Sequence, residues 1–277
     1  MTLNFFLFAA GEGKRTQPLS IYKPKPLFPI GNKPVIKILL NQLPENLIGF
    51  VNTFYKAELI EKELKNERKI KIIREKKLTG NLVLKTTINH DYEYLLILNS
   101  DVLINIPFSL INKSYDKNEV TLFLKESNSN KYNKLLIKNN RITDIKRFQK
   151  GYFYTGLAII SKDIVKILDN ENIIKFIKEK SIKVNFIEYN DYWFDIGSPE
   201  LYYNSVFNYF KINNILESNS ISKDVKIKES LISNSIIWEN TKITNSSIKN
   251  CIILNNLIIE NKNYNNKIIT KDKIYNL

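Results

Sequence analysis

Apolar and polar positions alternate in blocks along this chain. Leu3 to Ala10 is an apolar run broken only by Asn4 that stops at Gly11, and Tyr94 to Leu98 is a second, stopping at Asn99-Ser100-Asp101. Runs of that length with so little polar interruption read as strands buried on both faces, the habit of a parallel sheet. Between them, Leu47 to Thr53 and Lys69 to Arg74 read as further strands. Tyr55 to Asn66 places Leu59, Ile60 and Leu64 at helical spacing and reads as an amphipathic helix. Asn32-Lys33-Pro34 reads as the start of a helix reaching about Leu43, and Thr79 to Asn89 as another helix entered through Gly80.

Strands alternating with helices predict an α/β fold with a mainly parallel central sheet. The middle third is less regular. Val120 to Lys125, Leu135 to Lys138 and Arg141 to Lys146 read as antiparallel strands beside that sheet. Tyr154 to Ile160 and Lys183 to Glu188 read as strands, and Ser161 and Asn172 as helix starts. Ser198-Pro199-Glu200 is a strong helix start, with an N-cap serine, proline at the first helical position and an acid near the dipole; that helix runs to about Tyr209.

From about Ser218 the texture changes. Val225, Leu231, Ile237, Ile243, Ile248, Ile253 and Ile259 recur five or six residues apart, with Asn and Ser between them and no glycine. A six-residue apolar repeat broken by small polar turns marks a short parallel β-helix. The expected organisation is a domain over 1–215, a repeat over 218–265 and a tail over 266–277. So few rungs bury little alone, which makes self-association through the repeat an expectation.

Composition narrows the function. One cysteine, Cys251, rules out an intrachain disulfide and a cysteine metal site, and points to a reducing, cytoplasmic setting. The N-terminal run lacks a basic leader and reads as a buried strand. No run reaches the ~18 apolar residues of a membrane helix. The net charge of +14 is spread over lysines along the whole chain, without zinc motif, recognition helix or aromatic-interleaved basic stripe. That argues against nucleic acid; the charge reads first as a solvated basic surface, and an anionic small substrate explains part of the excess. The single histidine, His90, sits among polar neighbours late in a predicted helix. With it, Ser-His-Asp and Cys-His chemistry are set aside.

The candidate chemistry gathers at strand ends. Gly11, Gly13, Lys14 and Arg15 come directly after the first strand, and glycines there let backbone N–H groups approach a phosphate. Five of the eight prolines, Pro18, Pro24, Pro26, Pro29 and Pro34, stiffen the next stretch of chain and hold Lys25. Asp101 and Asp195 close other strands, and two such carboxylates can share a hard divalent cation.

These segments carry a family resemblance. Phe8-Ala-Ala-Gly-Glu-Gly-Lys-Arg-Thr-Gln-Pro-Leu19, Lys23-Pro-Lys-Pro-Leu27 and Asn32-Lys-Pro34 resemble the signature of sugar-1-phosphate nucleotidyltransferases. Leu98-Asn-Ser-Asp101 and Trp193-Phe-Asp-Ile-Gly-Ser-Pro-Glu200 resemble that family's two metal-binding aspartates. The tail is similar to the left-handed β-helix found after a Rossmann-like catalytic domain in several members. The resemblance implies Mg²⁺-dependent transfer of a nucleotidyl group from an NTP to a sugar 1-phosphate, with pyrophosphate leaving. It implies that Ala10, Gly11, Gly13 and Lys14, with Thr79 and Gly80, bind the nucleotide. Arg15, Lys25 and Asp101 would be catalytic, Asp101 and Asp195 would hold Mg²⁺, and Gly156 and Lys146 would meet the sugar.

Three departures stand out. The base loop reads Thr79-Gly80-Asn81. The usual Glu-Lys-Pro has no clear match, with Lys146 as the substitute. Tyr154-Thr-Gly156 replaces Asn-Ala-Gly. Mannose-1-phosphate guanylyl transfer is favoured, with N-acetylmuramate-1-phosphate uridylyl transfer next. The alternatives are a regulatory paralogue that binds nucleotide-sugars without catalysis, and phosphocholine cytidylyl transfer.

Overall fold

The computed structural model describes residues 2–114 and 119–277. The apolar runs become strands as expected. In chain order they are β1 (Leu3–Phe8), β2 (Gly49–Thr53), β3 (Ile70–Arg74), β4 (Tyr94–Asn99), β5 (Val120–Ser127), β6 (Lys134–Lys138), β7 (Arg141–Lys146), β8 (Gly151–Ser161) and β9 (Asn185–Glu188). Seven of them form one sheet in the order β9-β5-β8-β4-β1-β2-β3. β1 pairs in parallel with both β2 and β4, β2 with β3, and β5 with β9. Only β8 runs against its neighbours, β4 and β5.

This corrects one expectation. Val120 to Lys125 does not lie beside the sheet but inside it, because β5 and β9 extend the sheet beyond the reversed β8. β6 and β7 do form a separate antiparallel hairpin. Two helical expectations also shift. The helix expected from Asn32 to about Leu43 is the shorter Val35–Leu40, because Lys33 and Pro34 are held in a two-residue bridge with Pro29 and Ile30. Residues Gly80–Thr87 wind as a tighter 3₁₀ helix.

The sheet core is made by the side chains the runs contributed: Phe6, Leu95, Ile97, Leu122, Leu124, Ala158 and Ile160 are all buried. Gly49 shows how close the packing is. A Cβ there would overlap the Phe5 ring and the Ile70 side chain, so β2 can sit against β1 and β3 only with glycine at that position.

The chain divides into two compact units. One comprises Met1–Gly11, Gln42–Ser100 and Ile104–Trp193, and holds the whole seven-stranded sheet. The other comprises Glu12–Asn41, Asp101–Leu103 and Phe194–Leu277.

In the second unit Ser198 caps the helix Pro199–Ile212, its Oγ accepting from the Leu201 amide at 3.2 Å. The tail is a stack of short parallel strands. Ser220 pairs with Ile236 and Ile236 with Ile252, a step of 16 residues, and the other two faces repeat with the same step. Five of the seven predicted positions, Ile237, Ile243, Ile248, Ile253 and Ile259, are buried at its centre with Cys251.

Leu231 is the exception, 78% exposed; Ile232, one residue on, pairs with Ile248 and packs on the core. The corners explain this. Asn234, Asn240, Asn245, Asn250, Asn256, Asn261 and Asn266 all have left-handed backbone, with φ between 45° and 62°. Asn tolerates that region better than any other non-glycine residue, so asparagine turns the coil where glycine is missing. The coil continues past 265: Lys267–Ile269 stacks on Ile252–Ile253, and Ile274–Asn276 folds back antiparallel to close that face.

Candidate active site

The second unit collects six of the predicted residues: Gly13, Lys14, Arg15, Lys25, Asp101 and Asp195. Gly13 has φ of 66°, and a Cβ there would lie 2.9 Å from Thr16 Oγ1 and 3.3 Å from Lys25 Cγ. The turn is closed by Thr16, whose N–H and Oγ1 both donate to the Gly13 carbonyl, at 2.9 and 2.6 Å. Pro24 caps a single 3₁₀ turn, Lys25–Leu27, with Pro26 inside it. Lys25 is thereby fixed, and its Nζ donates to Asp101 Oδ2 at 2.7 Å with the lysine side chain only 11% exposed.

The Ile196 amide donates to the Asp101 carbonyl at 3.3 Å, which draws residues 194–196 alongside Asp101. Asp195 Oδ1 accepts from the Gly197 amide at 2.7 Å, and its carbonyl accepts from Ser205 Oγ at 3.1 Å. A Cβ on Gly197 would lie 2.7 Å from Asp195 Oδ1 and 3.4 Å from the Arg15 guanidinium, so glycine leaves room for both. The result is a cavity of about 240 Å³ whose lining includes Gly13, Lys14, Arg15, Lys25 and Gly197. Lys14 and Arg15 are its exposed members, and Lys14 is paired with Glu12 at 2.7 Å.

A support for this loop was not legible in the sequence. Trp238, from the repeat, is fully buried against Phe28, ring centroids 5.4 Å apart, and its Nε1 donates to Tyr202 Oη at 3.3 Å. Tyr202, from the helix Pro199–Ile212, donates to the Pro29 carbonyl. Lys23 pairs with Glu239 at 2.5 Å, and the Gly31 amide donates to Ser220 Oγ at 2.7 Å. The proline segment carrying Lys25 is thus clamped on both sides by the helix and the coil. A tryptophan in a mostly aliphatic repeat was the available hint.

The first unit holds the remaining predicted residues. Ala10 is buried just beyond β1, and Gly11 is open, with nothing within 4 Å of where its Cβ would be. A hydrogen-bonded relay ties this end of β1 to the predicted base loop. The Ala9 amide donates to Asn52 Oδ1 at 2.8 Å, and Asn52 Nδ2 donates to Glu75 Oε1 at 2.7 Å. Glu75 Oε2 accepts from the amide and hydroxyl of Thr79, at 2.9 and 2.5 Å. Asn52 and Glu75 were not singled out in the sequence. Both lie at strand ends, which was the available signal. Gly80 has φ of 56° and backs on to the Asn170 carbonyl.

Gly156 has φ of 88°, and a Cβ there would come within 2.9 to 3.1 Å of the Asn99 side chain. Lys146 is not gathered in with it. It stays on the β6–β7 hairpin, 63% exposed, with its ammonium on Asp144 at 2.5 Å.

A second, larger cavity of about 660 Å³ lies wholly within the first unit. Its aromatic wall is a cluster: Tyr132 stacks on Phe153 at 4.6 Å, and Trp193 meets both edge-on at 5.2 and 4.8 Å. Trp193 Nε1 donates to the Thr155 carbonyl at 2.7 Å, next to Gly156. Tyr154 also lines it, and its buried hydroxyl has no hydrogen-bond partner. Burial pushes that phenol far above its usual value, so it stays protonated and offers a hydrogen.

Lys134 is buried to 1% exposure, and its Nζ lies over the rings of Tyr132 and Phe153, 5.8 and 5.3 Å from their centroids, without a hydrogen-bond partner. Desolvation lowers its pKa from 10.5. A buried donor left unpaired costs about 1–3 kcal/mol, and the ring faces return only part of that. Lys134→Met is therefore expected to raise the urea midpoint at pH 7. A folded-state pKa below the unfolded one means the unfolded chain binds more protons, so wild-type stability rises with pH through that window. The advantage of the variant should shrink as pH approaches 10.5.

Comparison with known proteins agrees with this architecture. Residues 6–150 match the Nucleotidyl transferase family model. The chain belongs to that family. It is 29% identical over 217 residues to a protein of Methanococcus aeolicus named bifunctional protein GlmU, covering 70% of this chain and 51% of that one. It therefore spans about half the length of that relative. It is 28% identical over 218 residues to D-glycero-alpha-D-manno-heptose 1-phosphate guanylyltransferase of Campylobacter jejuni, covering 73% of this chain and 98% of that one. The crystal structure of HddC from Yersinia pseudotuberculosis shares the fold, with a TM-score of 0.64 at 22% identity over 76% of this chain and 100% of that one.

Proposed function

We propose that this protein transfers a nucleotidyl group from an NTP to a sugar 1-phosphate. The observation that carries the reading is the Lys25–Asp101 pair in the cavity of Arg15, with Asp195 on the adjoining turn. In the transfer, an oxygen of the sugar phosphate attacks the α-phosphorus, the bond from that phosphorus to the bridging oxygen breaks, and pyrophosphate leaves with the electron pair. No covalent enzyme intermediate is needed, so the work is positioning and charge neutralisation. Lys25, immobilised by its prolines, holds an α-phosphate oxygen. Arg15 balances charge developing on the departing pyrophosphate. The glycine turn supplies backbone N–H groups to the phosphates. A regulatory paralogue would have no use for all four charged groups, and their joint presence favours catalysis.

The donor set fits Mg²⁺. Asp101 and Asp195 provide hard carboxylate oxygens, and among the described residues no cluster of three or more acidic, histidine or cysteine ligands exists. Asp101 and Asp195 would hold Mg²⁺, a hard cation that takes oxygen ligands. When bound, it would neutralise phosphate charge between the two substrates.

Guanine is the favoured base. The relative of nearly the same length as the matched segment is named a guanylyltransferase, and so is mannose-1-phosphate guanylyltransferase catalytic subunit beta of Drosophila melanogaster, 28% identical over 225 residues. Incubation with each NTP, Mg²⁺ and a panel of sugar 1-phosphates should release pyrophosphate, fastest with GTP. Absence of pyrophosphate from every combination overturns the reading.

A further inference from the structure

Asn52 sits where two elements of the candidate nucleotide site approach each other, inside the sheet unit. It lies on β2 opposite Phe8 of β1 and is only 3% exposed. The Ala9 amide, one residue past β1, is met by Asn52 Oδ1 at 2.8 Å and not by a strand carbonyl. The other end of the same side chain donates to Glu75 Oε1 at 2.7 Å. Glu75 follows β3, its own amide donating to the Thr53 carbonyl at 2.8 Å. Its second oxygen takes both donors of Thr79, which precedes the left-handed Gly80. Among the described residues Glu75 makes no ion pair, so neutral donors alone hold its carboxylate.

The chemistry of the middle link is restrictive. The side chain at 52 must accept from Ala9 and donate to Glu75 at once, across the gap between two strand ends. A carboxylate accepts but cannot donate, and an aliphatic side chain does neither; the amide does both. A buried donor or acceptor left unpaired is costly, so the relay locks one arrangement of the two strand ends and the turn.

We infer that Asn52 is a positioning residue for the nucleotide: through Glu75 it sets the Thr79–Gly80 turn against the backbone at Ala9–Ala10. The inference rests on the proposed nucleotidyl transfer, in which both stretches hold the NTP. Asn52 acts through other residues. Its loss should therefore weaken NTP binding and leave the transfer step nearly unchanged.

A cycle of variants with reversed polarity tests this. Asn52→Asp still accepts from Ala9 but turns a carboxylate toward Glu75. Glu75→Gln alone cannot accept from both Asn52 and Thr79 without turning its amide N–H groups on one of these donors. In N52D/E75Q the new amide donates to the new carboxylate while its oxygen accepts from Thr79, and the relay closes again. GTP, ATP, UTP and CTP are titrated into the wild type by calorimetry, and the tightest is carried through. Each single variant should raise its Kd and KM about tenfold with kcat within about threefold of wild type, and the double variant should recover to within about threefold. A merely structural role would lower the urea midpoint and leave Kd unmoved in the folded protein. Unchanged Kd in either folded single variant, or no recovery in the double, overturns the inference while nucleotidyl transfer stands. If N52D does not fold, E75Q decides by the same Kd. Should the wild type release no pyrophosphate, nucleotidyl transfer fails and Kd still decides the relay: loss and recovery of NTP affinity support it, and no binding of any NTP overturns it.

Discussion

Lys25→Ala should lower the rate of pyrophosphate release by about 10²–10³, the cost of removing one preorganised donor at a site of developing charge. The residue is nearly enclosed, held by a proline-bounded 3₁₀ turn, and its Nζ sits 2.7 Å from Asp101. Its alanine variant loses both the phosphate donor and the cation that balances Asp101. The fold should survive, because the turn is fixed by Pro24, Pro26 and the backbone bonds around them. Circular dichroism beside the steady-state assay separates the two effects. Lys25→Arg should recover little, since a planar fork does not replace a compact ammonium at the end of so short a turn. A rate within threefold of wild type in K25A would refute the role given to this lysine.

The second large effect is expected at Trp238. Truncation to alanine empties a fully buried site between Phe28 and Tyr202 and should cost about 3–5 kcal/mol of stability, read from the urea midpoint. Activity should fall in W238A even where the protein remains folded. The clamp on residues 22–31 is then loosened, and a small displacement of a catalytic group costs rate steeply. Trp238→Phe keeps most of the packing and loses the bond to Tyr202, so its cost should be nearer 1 kcal/mol. If W238A costs less than 1 kcal/mol, the coil does not support the loop in the way its contacts imply.

Much of this molecule is written locally. The buried runs at Leu3 to Phe8 and Tyr94 to Asn99 declare themselves because two-sided burial demands near-continuous apolar sequence. The capped start at Ser198-Pro199 is legible because capping needs only three or four consecutive residues. The turn at Gly13 and the strand-end carboxylates Asp101 and Asp195 are legible for a related reason, since each motif carries its geometry within a few positions.

The misreadings share one cause. The reversed β8 brings β5 into the sheet, and no local pattern distinguishes a strand paired antiparallel inside a sheet from one paired beside it. The repeat was visible, but its register was not. Leu231, six residues from both Val225 and Ile237, fits the local spacing better than Ile232, and only the 16-residue step of the coil decides that Ile232 points inward.

What the sequence determined by itself, then, is the set of strands, the glycine turn with its cations, the two carboxylates and the presence of a stacked repeat. These arise from periodicity, from backbone freedom and from side-chain charge, all short-range properties. Only the tertiary structure decided that Lys25 meets Asp101, 76 residues away, and that Tyr202 reaches the Pro29 carbonyl across 173 residues. Only it assembled the aromatic wall of Tyr132, Phe153 and Trp193, and only it turned the repeat from an appendage into the brace of the proline segment. Such contacts depend on how elements pack, and packing is a property of the whole fold that no window of sequence contains.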